Sequence, residues 1–504
     1  MKILNASQIR ELDAYTINNE PVSSIDLMER AAGKCYDWIR RHNKTDKTIR
    51  VFCGMGNNGG DGLVIARMLA GSGYRVIVYK IRHTDKPSED FLVNEKRLVG
   101  VKNLHAEDVT DANQLPALQS DGLVVDALLG SGLTRPLEGF LAKVVQDINA
   151  SEAKVIAIDF PTGLFCEDNR DNNPRHIIRA SYTLSFQVPK LAFMFAGNQQ
   201  FLGQWYLLDI GLLDEGIRQI DSKYHYLLAS DIRSLYRPRK KFAHKGHFGH
   251  AFLMAGSYGK AGAAVLASRS VIRCGAGLLT VQIPQCAYSV LQTAVPEVMC
   301  TVDDHPHYIS EVHELEGYNA VGAGPGLGMQ DQTARALKVL IQNTTVPMVL
   351  DADALNILSE NLTWCGFLPK GSIFTPHPGE LDRLAGKTTG DHDRFDKAKE
   401  LAHRFQVYVM LKGAHTAIIC PDGRTYFNST GNPGMASGGS GDVLTGMILG
   451  WLAQNYSPLQ SCLLGAYLHG RAGDLAASRR GHEGMTAGDI IEQIPKAIKT
   501  TMRQ

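Results

Sequence analysis

The segment Asn432–Gly446 reads NPGMASGGSGDVLTG and concentrates the residue types that phosphoryl chemistry uses. Gly438, Gly439, Ser440 and Gly441 run straight into the apolar stretch DVLTGMILGWL, whose composition and length predict a helix. Successive free amides at a helix N-terminus make a hole for negative charge developing on a transferring phosphoryl group. Asp442, in the first turn of that helix, is placed to accept a proton from a substrate hydroxyl, as a kinase's catalytic aspartate does. The plain structural alternative is a capped helix after a flexible loop.

Other strand-end loops in the same half carry polar groups. KGAHT (Lys412, Gly413, Ala414, His415, Thr416) follows the apolar run VYVML, where a phosphate or adenosine contact would stand. TPHPGE sets two prolines around His377, which fixes a rigid loop, and Glu380 begins a helix. GAGPGLG (Gly322–Gly328) is a further strand-terminal glycine loop, and GSYGKAGAAVLASRSVIRCGAG opens a helix with small residues. His244, His247 and His250 in HKGHFGH have no cysteine or carboxylate at ligand spacing, so they read as a turn rather than a zinc site.

The first half repeats a different layout three times. GMGNNGGDG (Gly54–Gly62) lies between the strand-like IRVFC and the helix-like GLVIARMLAGSG. Its spacing is not GxGxxG, and Asp61 would repel a bare pyrophosphate, so a sugar hydroxyl, a carboxamide or a cation is the alternative ligand. VVDALLGSGLTRP puts Asp126 at a strand end before a Gly/Ser loop, and VIAIDFPTG puts Asp159 and Thr162 at another. Ligands of open parallel sheets bind beyond the carboxyl ends of the strands, so these three loops are expected to converge. Asn58, Asp126 and Thr162 together would suit a monovalent or divalent cation that prefers oxygen. Taken singly, each aspartate could equally be a cap or turn residue.

The elements that must position these loops are legible as short Val/Ile-rich runs separated by helix-length segments. That rhythm implies βαβ units and largely parallel sheets. It occurs twice, in two α/β domains expected at residues 1–218 and 219–504, joined through a charged, weakly periodic stretch whose Pro238 region reads as a surface connection. The 504 residues carry 52 Lys plus Arg against 51 Asp plus Glu, a net charge of +1 that gives no sign of a nucleic-acid or anionic-membrane binder. Glycine, at 50 residues, is about 10% against a usual ~7%, which marks many sharp turns or close approaches. No apolar run reaches the ~18 residues of a membrane span. The opening MKILNASQIRELDAY becomes charged before a secretory h-region could form. Nine scattered cysteines without a CxxC pair read as reduced thiols, and a cytoplasmic location is expected.

NNGGDGLVIARML, DALLGSGLTRP and DFPTGL together resemble the NAD(P)H-hydrate epimerase family over essentially all of residues 1–212. The resemblance implies a Rossmann-like domain that interconverts the R and S epimers of hydrated nicotinamide cofactors. It implies that Asn57, Asn58, Gly59, Gly60 and Asp61 line the hydrate site with Gly130, Ser131, Gly132, Leu133, Thr134, Arg135 and Pro136. It further implies that Asn58, Asp126 and Thr162 hold potassium and that Asp159 contacts the reacting part of the substrate. Phe160-Pro161-Thr162 stands where the family usually has Ile-Pro-Ser, and threonine keeps the hydroxyl. Asp159 is the candidate carboxylate for moving the proton as water leaves and returns.

HKGHFG, GKAGAAVLASRSVIRCGAG, GPGLG, TPHPGE, KGAHT and NPGMASGGSGD, in that order, resemble the NAD(P)H-hydrate dehydratase family of the ribokinase-like superfamily over about residues 224–502. The resemblance implies that Lys412–Thr416 bind the nucleotide with Asn432, Pro433, Gly434, Met435, Ala436, Ser437, Gly438, Gly439, Ser440 and Gly441. It implies that Ala263, Gly326, His377 and Asp442 contact the hydrate. Ser437 and Ser440 stand where threonine is common, and both hydroxyls are kept. The two halves in one chain are similar to the bifunctional NAD(P)H-hydrate repair enzymes. That family would take NADHX and NADPHX as substrates, use ADP or ATP with Mg2+, bind K+ and form homo-oligomers. Two other classes remain at this point: a ribokinase-like small-molecule kinase with an accessory domain, which would yield a stable phosphorylated product, and a nucleotide sensor without catalysis, which would have no need of Asp442.

Overall fold

The computed structural model describes residues 1–43, 47–118, 122–313 and 315–503. The chain forms two units, Lys2–Ser222 and Lys223–Gln504, with Met1 counted in the second.

In the first unit the Val/Ile-rich runs form a seven-stranded sheet. Its strands are β1 (Ile49–Cys53), β2 (Val76–Ile81), β3 (Leu104–Val109), β4 (Leu123–Ala127), β5 (Lys154–Ile158), β6 (Tyr182–Phe186) and β7 (Gln204–Leu208). The order is β3-β2-β1-β4-β5-β6-β7, and every pairing is parallel. Parallel strands are buried on both faces, which is why β1 and β4 read as nearly continuous apolar runs. One face packs Trp38, Ile39, Leu63, Val64 and Leu69 from helices α2 (Ser24–His42) and α3 (Asn57–Gly71). The other packs Val144, Val145 and Ile148 from helix Gly139–Ala150 against Phe52 and Val124. This is a doubly wound sheet whose order reverses between β1 and β4, so a ligand crevice belongs at the ends of those two strands. The register sets Phe52 beside Asp126 and Asp126 beside Ala157, which brings three loop starts to one edge. Helix α1 (Ala6–Asn19) is anchored by a capping box, with the Asn5 side chain accepting from Gln8 N and Gln8 returning the bond.

The second unit has ten strands: β8 (Tyr224–Tyr226), β9 (His250–Met254), β10 (Leu278–Ile283), β11 (Met299–Val302), β12 (Ala320–Ala323), β13 (Met348–Leu350), β14 (Ile373–Phe374), β15 (Tyr408–Leu411), β16 (Ala417–Ile419) and β17 (Thr425–Phe427). Their order is β11-β10-β9-β12-β13-β14-β15-β16-β17-β8. Pairings from β11 through β15 are parallel, and β15, β16 and β17 form an antiparallel meander. The order again reverses, here between β9 and β12. Helix Ser440–Ala453 is buried along nearly its whole length, which explains why its sequence is apolar all round. The stretch read as a connection is partly regular: it holds helix Asp214–Gln219, edge strand β8 and helix Ala229–Leu235. Its short elements escape a periodicity reading, while Arg237–Lys240 are exposed as expected. Among the described residues no helix is long and apolar enough to cross a membrane.

Candidate active sites

In the first unit a cavity of about 570 Å³ opens at the reversal point. Asn57, Asn58, Asp61, Gly130, Ser131, Gly132 and Asp159 all line it, so three of the expected loops do converge. Leu133, Thr134, Arg135 and Pro136 continue the loop outside that lining, the last three exposed. Gly59 and Gly60 are buried under it: a Cβ on Gly59 would sit 1.9 Å from the Gly54 carbonyl oxygen, and one on Gly60 would sit 2.7 Å from Met28 Sδ. These two glycines let α3 seat tightly against β1 and α2. Sequence reasoning expected backbone amides turned toward a ligand here, and steric fit is what requires the missing side chains.

Asp159 ends β5 in the left-handed region, φ 58°, a conformation that costs a non-glycine residue roughly 1–3 kcal/mol and is typical of functional positions. Its carboxylate accepts from Lys190 Nζ at 2.8 Å. Lys190 is 1% exposed and also donates to Ser185 Oγ at 2.7 Å and to the Phe186 carbonyl at 3.4 Å, so its three protons are all directed. Asp13, on α1, lines the same cavity, and burial, with the Asp159 charge second, pushes its carboxyl up to about 6. Burial also holds Asp61 well above the usual carboxylate range.

Beside the cavity Asp126 is fully buried. It accepts from Thr162 N at 2.9 Å, Thr162 Oγ1 at 2.7 Å and Leu128 N at 3.2 Å. Burial raises its carboxyl to about 6, and no Lys or Arg pairs with it among the described residues. Asn58 Nδ2 is buried without a hydrogen-bond partner. A buried carboxylate lacking a counter-charge and a neighbouring hydroxyl are oxygen donors that fit a monovalent cation, which at Asn58 would take the amide oxygen Oδ1 and not the unsatisfied Nδ2.

In the second unit the loops after β9, β12, β13, β14 and β15 share one sheet edge with the N-terminus of helix Ser440–Ala453. Lys412 follows β15, and its Nζ donates to Asp351 Oδ1 at 2.9 Å and lies 3.7 Å from Glu380 Oε2. Asp351, nearly inaccessible, also accepts from Thr445 Oγ1 at 2.6 Å. Burial pulls the Lys412 ammonium down, but Asp351 and Glu380 more than offset it, so it is held above its ordinary value. A Cβ on Gly441 would lie 3.5 Å from Lys412 Nζ, which fixes the lysine against the start of the helix. Asp442 stands one residue on. Burial, reinforced by Asp351 and opposed by Lys412, raises its carboxyl to about 6.

Gly439 caps this helix at φ 89° with no side-chain hydrogen bond, and a Cβ on Gly438 would meet nothing within 4 Å. Gly438 thus leaves backbone open to a ligand, as the sequence suggested, whereas a Cβ on Gly439 would sit 2.6 Å from Leu266 Cδ1 and 3.0 Å from Ala487 Cβ. Gly326, at φ 60°, comes so close to Ala263 that a Cβ would sit 3.0 Å from the alanine's own. His377 caps helix Pro378–Ala385: its Nδ1 accepts from Gly379 N at 3.0 Å, and its backbone N donates at 2.8 Å to Glu380 Oε2, the oxygen that faces Lys412. Gly413, Ala414, His415 and Thr416 form the β15–β16 turn, where His415 Nδ1 lies 3.0 Å from the Asn428 carbonyl. Asn432 caps a short turn over Pro433–Met435 and donates to Asp474 Oδ1 at 3.1 Å. Gly434 packs on His482 and Met485, and Met435 on Gly473, and both are half-buried. Ala436 and Ser437 lead from that turn to Gly438.

Sequence reasoning missed Asp13, Lys190, Asp351 and Thr445. Asp351 had a signal, since LDAD ends a strand as the other loops do. Lys190, alone in an apolar run, had none, because its partner is 31 residues away in sequence.

Comparison with known proteins matches a separate family model to each half of the chain. A family model described as NAD(P)H-hydrate dehydratase matches residues 251–496, and one described as YjeF-related protein N-terminus matches residues 24–192. The bifunctional NAD(P)H-hydrate repair enzyme Nnr of Moorella thermoacetica is 34% identical, covering 99% of this chain and 97% of the relative. The enzyme of that name from Escherichia coli is 33% identical over 94% of this chain and 89% of its own length. A solved ADP/ATP-dependent NAD(P)H-hydrate dehydratase from Bacillus subtilis, co-crystallised with ATP/Mg2+, is 30% identical with a TM-score of 0.48, covering 55% of this chain and 98% of that one. With relatives of such identity matching nearly end to end, the chain belongs to the bifunctional NAD(P)H-hydrate repair enzyme family.

Proposed function

We propose that this chain restores hydrated nicotinamide cofactors, with epimer exchange in the first unit and nucleotide-driven dehydration in the second. The observation that carries the reading is Asp442 at the helix start that Gly438 leaves open, beside the Lys412–Asp351 pair. Hydroxide leaves carbon poorly, whereas phosphate leaves readily. Asp442 takes the proton of the ring hydroxyl while that oxygen attacks the terminal phosphorus of ADP or ATP. The bond to the nucleotide breaks, releasing AMP or ADP, and the amides of Gly438–Gly441 with Lys412 stabilise charge on the transferring group. The ring nitrogen lone pair then expels phosphate, and loss of a proton from the neighbouring carbon restores the double bond. Asn432 and the Lys412–Thr416 turn supply nucleotide contacts, and Ala263, Gly326 and His377 supply hydrate contacts. Mg2+ bound to the phosphates would neutralise their charge, with Asp442 and Asp351 as the nearby carboxylates.

In the first unit Asn58, Asp126 and Thr162 would hold K+, which supplies the counter-charge that buried Asp126 lacks. Asp159 moves the proton of the water that leaves and returns to the ring carbon, and Lys190 fixes its orientation. Mixed epimers of hydrated NADH, given Mg2+, K+ and ADP or ATP, test the reading through reduced-nicotinamide absorbance and free phosphate. Full recovery of NADH with one phosphate per turnover is expected. Replacing K+ by tetramethylammonium should halt recovery once the S epimer is spent. A stable phosphorylated product would instead identify a kinase.

A further inference from the structure

Of the carboxylates that line the first unit's cavity, Asp159 is tied to a lysine, whereas Asp13 and Asp61 have no hydrogen-bond or ion-pair partner among the described residues. Asp159 is fixed by Lys190 at 2.8 Å, whereas Asp13 makes no hydrogen bond or ion pair among the described residues, although it lines the same space from a different element, α1. An unpaired, largely buried carboxyl facing a cavity is costly when ionised and needs a reason to be there. Packing does not give one: α1 reaches the core through Leu12 and Thr16, and Asp13 sits on the cavity side beside Ile9, Arg10 and Ile17.

From this geometry we infer that Asp13 is a catalytic acid of epimer exchange, acting with Asp159 as the base; the inference rests on the reading of this cavity as the epimerase site. Asp13 gives its proton to the hydroxyl oxygen of the hydrate, the carbon–oxygen bond breaks with its electron pair going to oxygen, and water departs as the ring nitrogen lone pair forms the iminium. Water then adds to the other face of that carbon and gives its proton to Asp159. The reverse epimerisation exchanges the two roles, and solvent resets the protons between turnovers. Asp61 is a poorer candidate, because it is more deeply buried than Asp13 and burial holds its carboxyl well above the usual carboxylate range. The charged groups facing Asp13 are Asp159 and Lys190 from the β5 and β6 ends, Asp61 from α3, Asp90 from helix Glu89–Arg97 and Arg10 from α1 itself. Their balance, with burial foremost, places the Asp13 carboxyl at about 6, close to where an acid must both hold and release a proton.

The test follows one purified epimer of hydrated NADH by chromatography with the full chain, K+ and no nucleotide. Wild-type exchange should fall with rising pH above about 6, as Asp13 ionises. Asp13→Asn should slow exchange by about 10²–10⁴-fold and remove that pH limb, while Asp13→Glu regains part of the rate. Dehydration of the S epimer should be unchanged in both variants. Exchange in Asp13→Asn within threefold of wild type, or a wild-type profile flat from pH 5 to 8, overturns the inference. Absence of exchange in the wild-type chain would refute the epimerase reading itself, a separate outcome.

Discussion

The two sites use one electrostatic device and opposite glycine loops. Each has an aspartate at a strand end tied to a lysine, with one partner of each pair buried: Asp159 to buried Lys190 at 2.8 Å, and buried Asp351 to Lys412 at 2.9 Å. Each also has a second carboxyl raised by burial to about 6, Asp13 in one and Asp442 in the other. The glycines differ. Those of NNGGDG are filled in by the fold, with Gly59 against Gly54 and Gly62 against Ala127 and Cys53, whereas Gly438 is open and Gly439 takes a positive φ at a helix start. Similar glycine-rich strings thus seat a helix in one unit and leave Gly438 uncovered before a helix start in the other, and only the surroundings of each missing Cβ tell them apart.

The largest expected effect strikes the shared device. Lys412→Met leaves the buried Asp351 carboxylate without its ammonium partner, which typically costs about 3–5 kcal/mol, and Lys190→Met, at the half-buried Asp159, should cost less. Urea unfolding should show each loss in its own unit, and variants as stable as wild type would mean that the lysines are not holding charged partners. Next come the glycines. Gly59→Ala puts a Cβ 1.9 Å from a backbone oxygen and should cost about 1–3 kcal/mol or more by overpacking, whereas Gly438→Ala should change stability by less than about 0.5 kcal/mol and raise the KM for nucleotide. Equal destabilisation by the two would break the comparison. The smallest effect is in pH. Asp442 must be ionised to accept a proton, so dehydration should fall about tenfold per unit below pH 6, while exchange through Asp13 should fall above it. Parallel profiles would contradict the opposite roles given to the two carboxyls.

The strand-end loops were legible in the sequence because Gly, Pro and Asp punctuate apolar runs wherever a parallel strand stops. Asn57, Asn58, Asp61, Gly130 and Asp159 could therefore be expected at one crevice before any coordinates, as could Asp442 at its helix start. Pairing was not legible. Lys412 meets Asp351 across 61 residues and Thr445 meets it across 94, separations that only the β13–β14–β15 register and the buried helix bring together. Short strands such as Tyr224–Tyr226 and Thr425–Phe427 carry too few residues for a period to show, so the sheet's antiparallel end was read from the structure alone. Asp13 looked like any polar residue on an amphipathic helix until the cavity in front of it was known.

The central claim is that two chemistries act on one hydrated cofactor at separate sites. Asp442→Ala in the full chain, given mixed epimers of hydrated NADH with ADP or ATP, Mg2+ and K+, tests it most directly. NADH formation should drop by about 10²–10⁴-fold while a purified epimer still returns to its equilibrium mixture at the wild-type rate. Loss of both activities, or NADH formation at a near-normal rate, would contradict the account.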